Sequence, residues 1–243
     1  MGGGMKNVSS FLFVFLLACI ASKSGYSEPG DVLNIQLGGT TPANYTNGAA
    51  INDNTQVWNR LTNVDVTTVN NLQYSGGAST DISVTYDTPV YAGGISTSFK
   101  SSSLDFALFR GYMGTNNLYD GYINFSGLPS GTYNVYVYMQ GKKTVSISSL
   151  QMNVTTPASN EIFSLSNDGK ANVLIDGTNW VMKTVIVTDG TLDMAIEKDS
   201  LLNGIQIQHI SNTVPEPGNV ILLGIGGVLV FWFIRLNGST FNA

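Results

Sequence analysis

The sequence predicts an all-β fold, a β-sandwich that spans residues 28–210. Short apolar or alternating segments, roughly four to eight residues long, recur there at intervals of about 8 to 12 residues. Gly-Gly, Asp-Gly and Gly-Leu-Pro-Ser-Gly sequences separate these segments and are typical of tight turns. No stretch of this interval shows the periodicity of an amphipathic helix. Such a pattern favours two sheets packed around one core.

The first predicted strand covers residues 33–37, where apolar and polar side chains alternate, and we expect it to be half-buried. Gly38 and Gly39 end it. The polar segment 40–61 is predicted to be a long loop in which Trp58 is a buried anchor. Further short elements are predicted as strands at 64–69, 72–74 and 82–86, and as a short strand or helical turn at 107–110.

The strand predicted at 132–139 has large side chains on both faces, as expected for a central strand of a sheet. Tyr136 and Tyr138 share one face and are predicted either to form a platform for a ligand or to pack in the core. Trp58 and Trp180 are predicted to be core anchors. The remaining strands are predicted at 122–125, 145–147, 150–152, 162–165, 171–175, 180–187, 191–196 and 205–207. The first and last strands have matching alternation, so we expect them to lie side by side.

Three sequence patterns of this domain resemble the galactose-binding-like jelly roll, which occurs in many carbohydrate-binding modules and bacterial surface domains. They are Leu-Asn-Ile-Gln-Leu at 33–37, Gly-Leu-Pro-Ser-Gly-Thr-Tyr at 127–133 and Leu-Asn-Gly-Ile-Gln-Ile at 202–207. The resemblance implies a jelly-roll β-sandwich for residues 28–210. It concerns the fold and not an activity, because one fold hosts many functions.

The composition is that of many extracellular β-proteins. Charged residues make up 11% of the chain, and 11 Lys and Arg against 16 Asp and Glu give a formal net charge of −5. The sequence has no basic patch, so no nucleic-acid partner is predicted. Cys19 is the single cysteine. The folded domain is therefore predicted to have neither a disulfide nor a thiol nucleophile.

Residues 1–27 are predicted to be a secretory signal peptide for the Sec pathway. Lys6 precedes an apolar segment at 11–20, and the small residues at 21–24 suit a cleavage site. The alternative, a first transmembrane anchor, would need a longer apolar run. The Leu-Leu-Ala-Cys sequence that ends at Cys19 also resembles a bacterial lipobox, so lipidation of Cys19 is left open.

The C-terminal segment is predicted to retain the exported protein at a membrane. A linker at 211–218 carries a tetrad that consists of Val214, Pro215, Glu216 and Pro217, and an apolar run from 220 to 234 follows it. We predict one transmembrane helix at 219–236, with Arg235 at the interface, and a short tail at 237–243. A buried hairpin or core helix is the alternative for so short a run.

The tail resembles the PEP-CTERM sorting signal of exported proteins in Gram-negative bacteria that make extracellular polysaccharide. The shared features are the tetrad, the single apolar span and the basic residue Arg235 in that order. Family members end in a cluster of arginines, whereas here Arg235 stands alone. The resemblance implies processing by exosortase, a membrane transpeptidase-like enzyme. It implies an inner-membrane anchor first, and the cell surface or extracellular matrix afterwards.

Side chains suited to catalysis are few, and no enzymatic activity is predicted. His209 is the single histidine and is predicted to be exposed or structural. No Gly-x-Ser-x-Gly sequence marks a nucleophilic serine. Most aspartates adjoin Gly or Asn, where their side chains bond the local backbone of turns. A pair of glycosidase carboxylates stays open as an alternative, because such residues are distant in sequence.

The segment 110–122 is the predicted glycan-binding loop, because it combines aromatic faces with hydrogen-bonding side chains. Its candidate residues are Arg110, Tyr112, Asn116, Tyr119, Asp120 and Tyr122. The alternative is a solvent-exposed turn with one tyrosine packed beneath it. No cofactor is predicted except a structural Ca²⁺ ion, which is expected by analogy with related sandwiches and not from a ligand pattern. Asp105 and Asp120 are its candidate ligands.

Three hypotheses for the function follow. The first is a non-catalytic surface protein that binds extracellular polysaccharide through its sandwich and has exosortase and the membrane as partners of its tail. The second is a structural surface or filament subunit, and the third is a secreted carbohydrate-active enzyme. Glycan binding separates the first from the second, whereas turnover of a polysaccharide would identify the third.

Overall fold

A computed structural model of the protein describes residues 27–38, 49–51, 57–62, 65–87, 91–94, 105–115, 120–140, 149–166 and 170–212. The chain divides into two compact units, Met1–Asn212 and Thr213–Ala243. Several sequence predictions lie outside the described residues, namely the signal peptide up to residue 26 with Cys19, the strand at 145–147, the tetrad at 214–217, the membrane helix at 219–236 with Arg235, and the tail at 237–243. Within the described ranges, no helix is long and apolar enough to cross a membrane.

Strands dominate the described residues, so the all-β prediction is confirmed. In chain order the elements are β1 (Val32–Leu37), β2 (Asn59–Leu61), β3 (Thr67–Val69), β4 (Ser83–Asp87), β5 (Tyr91–Gly94), α1 (Phe106–Arg110), β6 (Gly111–Gly114), β7 (Gly121–Ser126), β8 (Gly131–Tyr138), β9 (Ser149–Thr156), β10 (Ser159–Ser166), β11 (Trp180–Val187), β12 (Thr191–Ile196), β13 (Leu201–Leu202) and β14 (Gly204–Ser211).

These strands form two large sheets and one small sheet. The five-stranded sheet has the order β11-β8-β14-β1-β2, and the six-stranded sheet has the order β10-β9-β12-β7-β4-β3. The small sheet has the order β13-β6-β5. Paired strands are antiparallel except β1 and β2, which are parallel. Antiparallel pairing suits a chain whose strands are joined by short turns.

One hydrophobic core contains side chains from both large sheets. In the six-stranded sheet, Ile123 and Phe125 of β7 are buried, whereas Tyr122 on the opposite face is only half-buried. The five-stranded sheet contributes Val135 and Val137 of β8 to the same core. Burying one side chain of this kind stabilises a fold by about 1.5–3 kcal/mol. The period-two alternation of the sequence therefore has its physical cause in this shared core.

The predictions for the first, last and central strands are confirmed. β1 and β14 are antiparallel neighbours, with Leu33 opposite Ile207 and Ile35 opposite Ile205. β8 has a neighbour on each side, β11 and β14. The N-terminal and C-terminal strands of the described domain thus lie together in the middle of the five-stranded sheet.

Strand β1 is not half-buried as predicted, because both of its faces are covered. Asn34 and Gln36, the polar residues of the alternation, are 0% and 6% exposed. The segment before β2 lies against Asn34, whose Nδ2 donates to the Val57 carbonyl at 3.1 Å. β2 itself falls inside the predicted loop 40–61 and pairs with β1. A strand of three residues is too short to produce a recognisable alternation.

The prediction of a strand at 171–175 is wrong. The backbone of this segment bonds to the side chains of Asn179 and Gln140 instead of to a neighbouring strand. Asn179 Oδ1 accepts from the Ile175 N–H at 2.8 Å, and Asn179 Nδ2 donates to the Val173 carbonyl at 2.8 Å. An asparagine that bonds the backbone locally competes with strand pairing in this way.

Other short elements differ less from the prediction. Of the strand predicted at 64–69, the described residues 65–69 are extended only over β3. In the segment 72–74, residues 73 and 74 make isolated bridges instead of a strand. Residues 107–110 take the helical alternative as part of α1.

Gly38 fixes the point at which β1 ends. Its φ of +68° lies in the left-handed region, and a Cβ at this position would overlap the carbonyl oxygen of Tyr112 in β6. A side chain at residue 38 would therefore strain the backbone and displace β6. The Gly38 N–H donates to the Leu61 carbonyl at 2.7 Å, which ties this turn to the end of β2.

The single histidine lies in the interior of the domain. His209 is 1% exposed, and its ring stacks on Tyr133 with centroids 4.7 Å apart. Its Nδ1 is bonded to the Ser27 hydroxyl at 2.8 Å, so the folded unit includes the last residue of the predicted signal peptide. Of the two predictions for His209, exposed or structural, the second is confirmed. Burial lowers the pKa of His209, because the charged imidazolium is poorly solvated there.

We expect Gly38→Ala to lower the free energy of unfolding more than Gly177→Ala does. Gly177 also has a positive φ, +71°, but a Cβ there would meet no atom within 4 Å. Gly177→Ala, the control, should therefore lose only the free energy of placing a Cβ on a left-handed backbone, about 1–2 kcal/mol. Gly38→Ala adds the overlap with Tyr112. Urea denaturation measures both losses, and equal losses would contradict the close approach of β1 to β6.

We also expect stability to fall as the pH drops below about 6.5, the usual pKa of histidine in an unfolded chain. Because the folded pKa of His209 is lower, the unfolded state binds more protons in the window beneath 6.5. Urea midpoints at a series of pH values between about 7.5 and 5.5 measure this loss. A His209→Phe variant, which keeps a ring against Tyr133, should show a flatter profile. An unchanged profile in that variant would show that other groups cause the pH dependence.

Candidate functional site

The five-stranded sheet has an outer face, defined here as the face that points away from the main core. It carries polar and aromatic side chains, and the register of β11, β8, β14 and β1 sets them in rows. One row consists of Met182, Tyr136, Gln206 and Asn34, and the next consists of Thr184, Asn134, Gln208 and Val32. Successive rows are about 7 Å apart, because side chains on one face of a strand are two residues apart.

Tyr136, Trp180 and Met182 form a surface on the outer face that we call the aromatic platform. The rings of Tyr136 and Trp180 are stacked, with centroids 6.1 Å apart and planes at 29°. Both residues are half-buried, so part of each remains accessible to solvent. Met182 lies opposite Tyr136 on the neighbouring strand and is 40% exposed. The platform is an apolar surface next to the polar side chains of Asn134, Thr184 and Gln208.

Uncharged hydrogen-bonding groups border the aromatic platform. The Tyr136 hydroxyl donates to Gln208 Oε1 at 3.4 Å, and the Thr184 hydroxyl donates to Asn134 Oδ1 at 2.8 Å. Both bonds use the amide oxygens, so the NH₂ groups of Gln208 and Asn134 retain donors for a ligand. Asn134 and Gln208 are half-buried, which places their amides at the surface with the sheet behind them.

The segment before β11 positions Trp180 at the edge of the sheet. Asn179 is 0% exposed, and its carbonyl accepts from the Met139 N–H at 2.9 Å, at the end of β8. The Gly177 N–H donates to the Trp180 carbonyl at 2.8 Å, which closes a tight turn. Trp180 is thus held between a turn and the strand that carries Tyr136.

A second hydrophobic cluster covers one end of the outer face. It consists of Ala49, Leu108, Phe109 and Tyr138, against which Ala50, Trp58, Tyr136, Leu174 and Trp180 pack. Phe109 of α1 meets the Tyr138 ring edge to face, with centroids 6.4 Å apart and planes at 73°. The face is therefore covered at the Tyr138 end and accessible at the Asn134 end, and the aromatic platform lies at the boundary.

A chain of hydrogen bonds runs across the strands beneath the covered end. The Tyr138 hydroxyl donates to Gln206 Oε1 and accepts from the Ala50 N–H at 2.8 Å. Gln206 Nε2 donates to Asn34 Oδ1 at 2.8 Å, and Asn34 in turn donates to the Val57 carbonyl. Burial raises the pKa of Tyr138 well above its usual range, so its hydroxyl remains a donor. We call this chain the buried amide network.

Asn203 attaches α1 to the sheet at the same end. Its side chain is fully buried, and its Nδ2 donates to the Gly111 carbonyl at 2.6 Å, just after α1. Its Oδ1 accepts from the Gln140 N–H at 2.6 Å. One amide thus joins the end of α1 to the end of β8, and it holds the helical turn over Tyr138.

The described residues of the predicted glycan-binding loop lie in different parts of the fold. Arg110 is exposed at the last position of α1, whereas Tyr112 is 9% exposed and packs in the main core. Asp120 is exposed, and Tyr122 is half-buried on β7 of the six-stranded sheet. Asn116 and Tyr119 lie outside the described residues. Binding by this loop stays a prediction.

The candidate Ca²⁺ ligands belong to no cluster of acidic or other metal-binding side chains in the described parts of the chain. Asp105 Oδ1 accepts from the Ala49 N–H at 3.3 Å, so this carboxylate helps to hold the segment that covers Tyr138. Asp120 lies immediately before β7 and is exposed. The Ca²⁺ site stays a prediction.

The sequence pattern indicated only some of the residues of the outer face. The alternation of β8 places Tyr136 and Tyr138 on one face. Packing in a core is confirmed for Tyr138, whereas ligand binding by Tyr136 stays a prediction. Tyr138 is 0% exposed and packs in a core, whereas Tyr136 contributes to the platform. Trp180 was predicted to be a core anchor, and its stacking on Tyr136 was missed. The alternation of Gln206 and Gln208 with apolar residues in β14 was the available signal, but it does not reveal which strands are neighbours.

Comparisons with known proteins give only distant likenesses. No family model and no curated protein matches the chain. A structure of the plant peptide RALF23 in complex with FER and LLG2 is similar at 13% identity and a TM-score of 0.39, over 79% of this chain and 44% of that chain. An exo-β-1,3-galactanase from Phanerochaete chrysosporium with β-1,3-galactotriose is similar at 13% identity and a TM-score of 0.30, over 47% of this chain and 26% of that chain.

A family GH115 4-O-methyl-α-glucuronidase with specificity for decorated arabinogalactans is similar at 14% identity and a TM-score of 0.29, over 42% of this chain and 15% of that chain. The chain therefore spans less than half the length of each of these matched chains. With TM-scores this low, we assign neither a family nor an activity from these likenesses.

We expect Gln206→Ala to lower the free energy of unfolding by about 3 kcal/mol, because two buried groups lose their partners at about 1–3 kcal/mol each. These groups are the Tyr138 hydroxyl and Asn34 Oδ1. Gln208→Ala is the matched control, since it removes the same side chain two residues away on the same face. Its half-buried amide has a long bond to Tyr136 only, so we expect a loss below about 1 kcal/mol. Similar losses in urea denaturation would contradict the buried amide network.

Proposed function

We propose that the domain is a non-catalytic glycan-binding module of an exported surface protein. The observation that carries this proposal is the aromatic platform, a stacked Tyr136–Trp180 pair with the amides of Asn134 and Gln208 beside it. Pyranose rings have apolar C–H faces that pack on aromatic side chains, and their hydroxyls bond to nearby amides. An apolar surface with a few convergent polar groups is the usual form of a small-molecule site.

The rigidity of the outer face supports the proposal. Tyr136 is on a strand with neighbours on both sides, and Trp180 is fixed by the turn that Asn179 organises. A ligand that binds such side chains does not have to order a loop, so less of the interaction energy is lost to entropy. The accessible part of the face also suits a segment of a polymer, because the polymer can extend past the uncovered Asn134 end.

The proposed location comes from the two chain ends. We propose export through the signal peptide and retention by the apolar tail, with exosortase acting at the tetrad that includes Pro215 and Pro217. The site of action would be the cell surface or the extracellular polysaccharide matrix. The finer assignment of the sandwich as a galactose-binding-like jelly roll belongs to the same proposal. The dominant strand content and the two facing sheets support it.

A structural surface or filament subunit is the second candidate function. Exposed apolar side chains favour it where β10 and β11 adjoin, since Ile162, Met182 and Ile186 are 61%, 40% and 38% exposed. The two strands are linked there by the Lys183–Glu161 ion pair at 3.1 Å. A second copy of the chain that packed on this side would bury these residues.

Replacing the platform tests the proposed function. We expect Trp180→Ala and Tyr136→Ala each to weaken polysaccharide binding by about tenfold, the usual effect of truncating a central aromatic anchor. Affinity electrophoresis of the full-length chain through polysaccharide gels measures binding. Ile162→Ala is the control, because it removes an exposed apolar side chain from the other large sheet.

Thermal unfolding of each variant tests whether its fold is intact. Unchanged binding in both platform variants would contradict the proposal. Self-association of the native chain that is lost in Ile162→Ala, without any glycan binding, would favour the structural subunit instead.

A further inference from the structure

We infer that the aromatic platform binds an uncharged stretch of polysaccharide and not an anionic one such as a polyuronate. This inference rests on the proposed function and specifies the ligand of the same site. The expected charge of the ligand is inferred from the charged side chains on and around the outer face. The hydrogen bonds of the platform do not by themselves indicate it.

The groups that a ligand on the platform would touch are uncharged. They are the side chains of Tyr136, Trp180, Met182, Asn134, Thr184 and Gln208. A carboxylate or sulfate on a ligand would lose water at this surface without gaining a cationic partner, which is unfavourable. Sugar hydroxyls need only neutral donors and acceptors, and the two amides and the Tyr136 hydroxyl supply these.

Two carboxylates and one paired lysine belong to the segments around the platform, and the exposed Arg110 lies at the end of α1 on the covered side. Asp105 is near enough to Tyr138 to help to raise its pKa, and it lies at the covered end of the face. Asp176 forms a backbone bridge with Trp180. Lys183 alternates with Met182 and so lies on the other face of β11, where its Nζ is bound to Glu161 Oε2 at 3.1 Å. The two carboxylates would repel an anionic chain.

Arg60 is the cationic residue that the strand register places on the outer face, and it lies at the opposite edge. Arg60 lies on β2 and pairs with Gln36 of β1, whereas Trp180 is on β11 at the other end of the strand order. Four strand spacings of about 4.8 Å separate the two strands, or about 19 Å. The Arg60 side chain also donates from Nε to the Gly38 carbonyl at 3.5 Å. Its position makes Arg60 a useful probe for the alternative, an anion bound across the sheet.

The uncharged surface is long enough for more than one sugar ring. Trp180 is opposite Tyr138. Thr184 is opposite Asn134, which precedes Tyr138 by four residues in β8. The surface between them is about 13 Å long, at about 3.3 Å per residue. We therefore expect a neutral oligosaccharide to bind more tightly than its monosaccharide, because the aromatic end and the amide end contact different rings.

The test compares neutral and anionic polysaccharides with the full-length chain in a detergent that contains no sugar. Neutral β-glucan, galactan and mannan form one set, and alginate and polygalacturonate form the other, each at low and at high NaCl. We expect at least one neutral polymer to bind, with an affinity that salt leaves unchanged, because no ion pair forms. Trp180→Ala should weaken this binding about tenfold, and Arg60→Ala should leave it unchanged.

The outcomes separate this inference from the proposed function. Stronger binding of an anionic polymer, weakened by salt and by Arg60→Ala, would overturn the inference and leave glycan binding intact. Anionic binding that is lost in Trp180→Ala would also overturn it, since the platform would then accept charge. The absence of binding to every polymer in both sets would overturn the proposed function itself.

Discussion

The five-stranded sheet depends on a constraint at its centre, where β1 and the first half of β14 are buried on both faces. Both strands carry amide side chains on the face that an alternating pattern would leave to water. Gln206 and Asn34 therefore bond to each other, and the Tyr138 hydroxyl and the Val57 carbonyl take up their remaining groups. An unsatisfied amide there would be costly. For this reason the segments at 49–51 and 57–58 have to lie over the outer face.

The candidate site begins where the segments that cover the outer face end. Phe109, held over Tyr138 with the help of Asn203, closes one end of the face, and the next rows are accessible. Tyr136 belongs to both regions, since it packs on the second cluster and also bonds to Gln208. The same packing that excludes water from the buried amide network thus holds the platform rigid. A binding surface of this kind is preorganised by the core beneath it.

Alternation located most of the strands because one core imposes period two on both large sheets, as Ile123 and Phe125 illustrate. It failed where a local side chain satisfied the backbone, as Asn179 does for residues 173–175. It also failed for β1, because alternation cannot show that a distant segment covers the polar face. The partnership of Tyr136 with Trp180 depends on the pairing of β8 with β11, and sequence alone does not specify which strands pair. The tyrosines were thus identified and the site was not.

The pairing of β1 with β14 has a consequence for how the domain can be combined with other chains. β1 begins and β14 ends at the same corner, where the Gly30 N–H donates to the His209 carbonyl at 2.8 Å and the His209 N–H donates to the Asp31 carbonyl at 2.9 Å. The N-terminal and C-terminal ends of the domain are therefore close together in space. The domain can be inserted into a surface loop of a host protein, or repeated in tandem on short connectors, without stretching either chain.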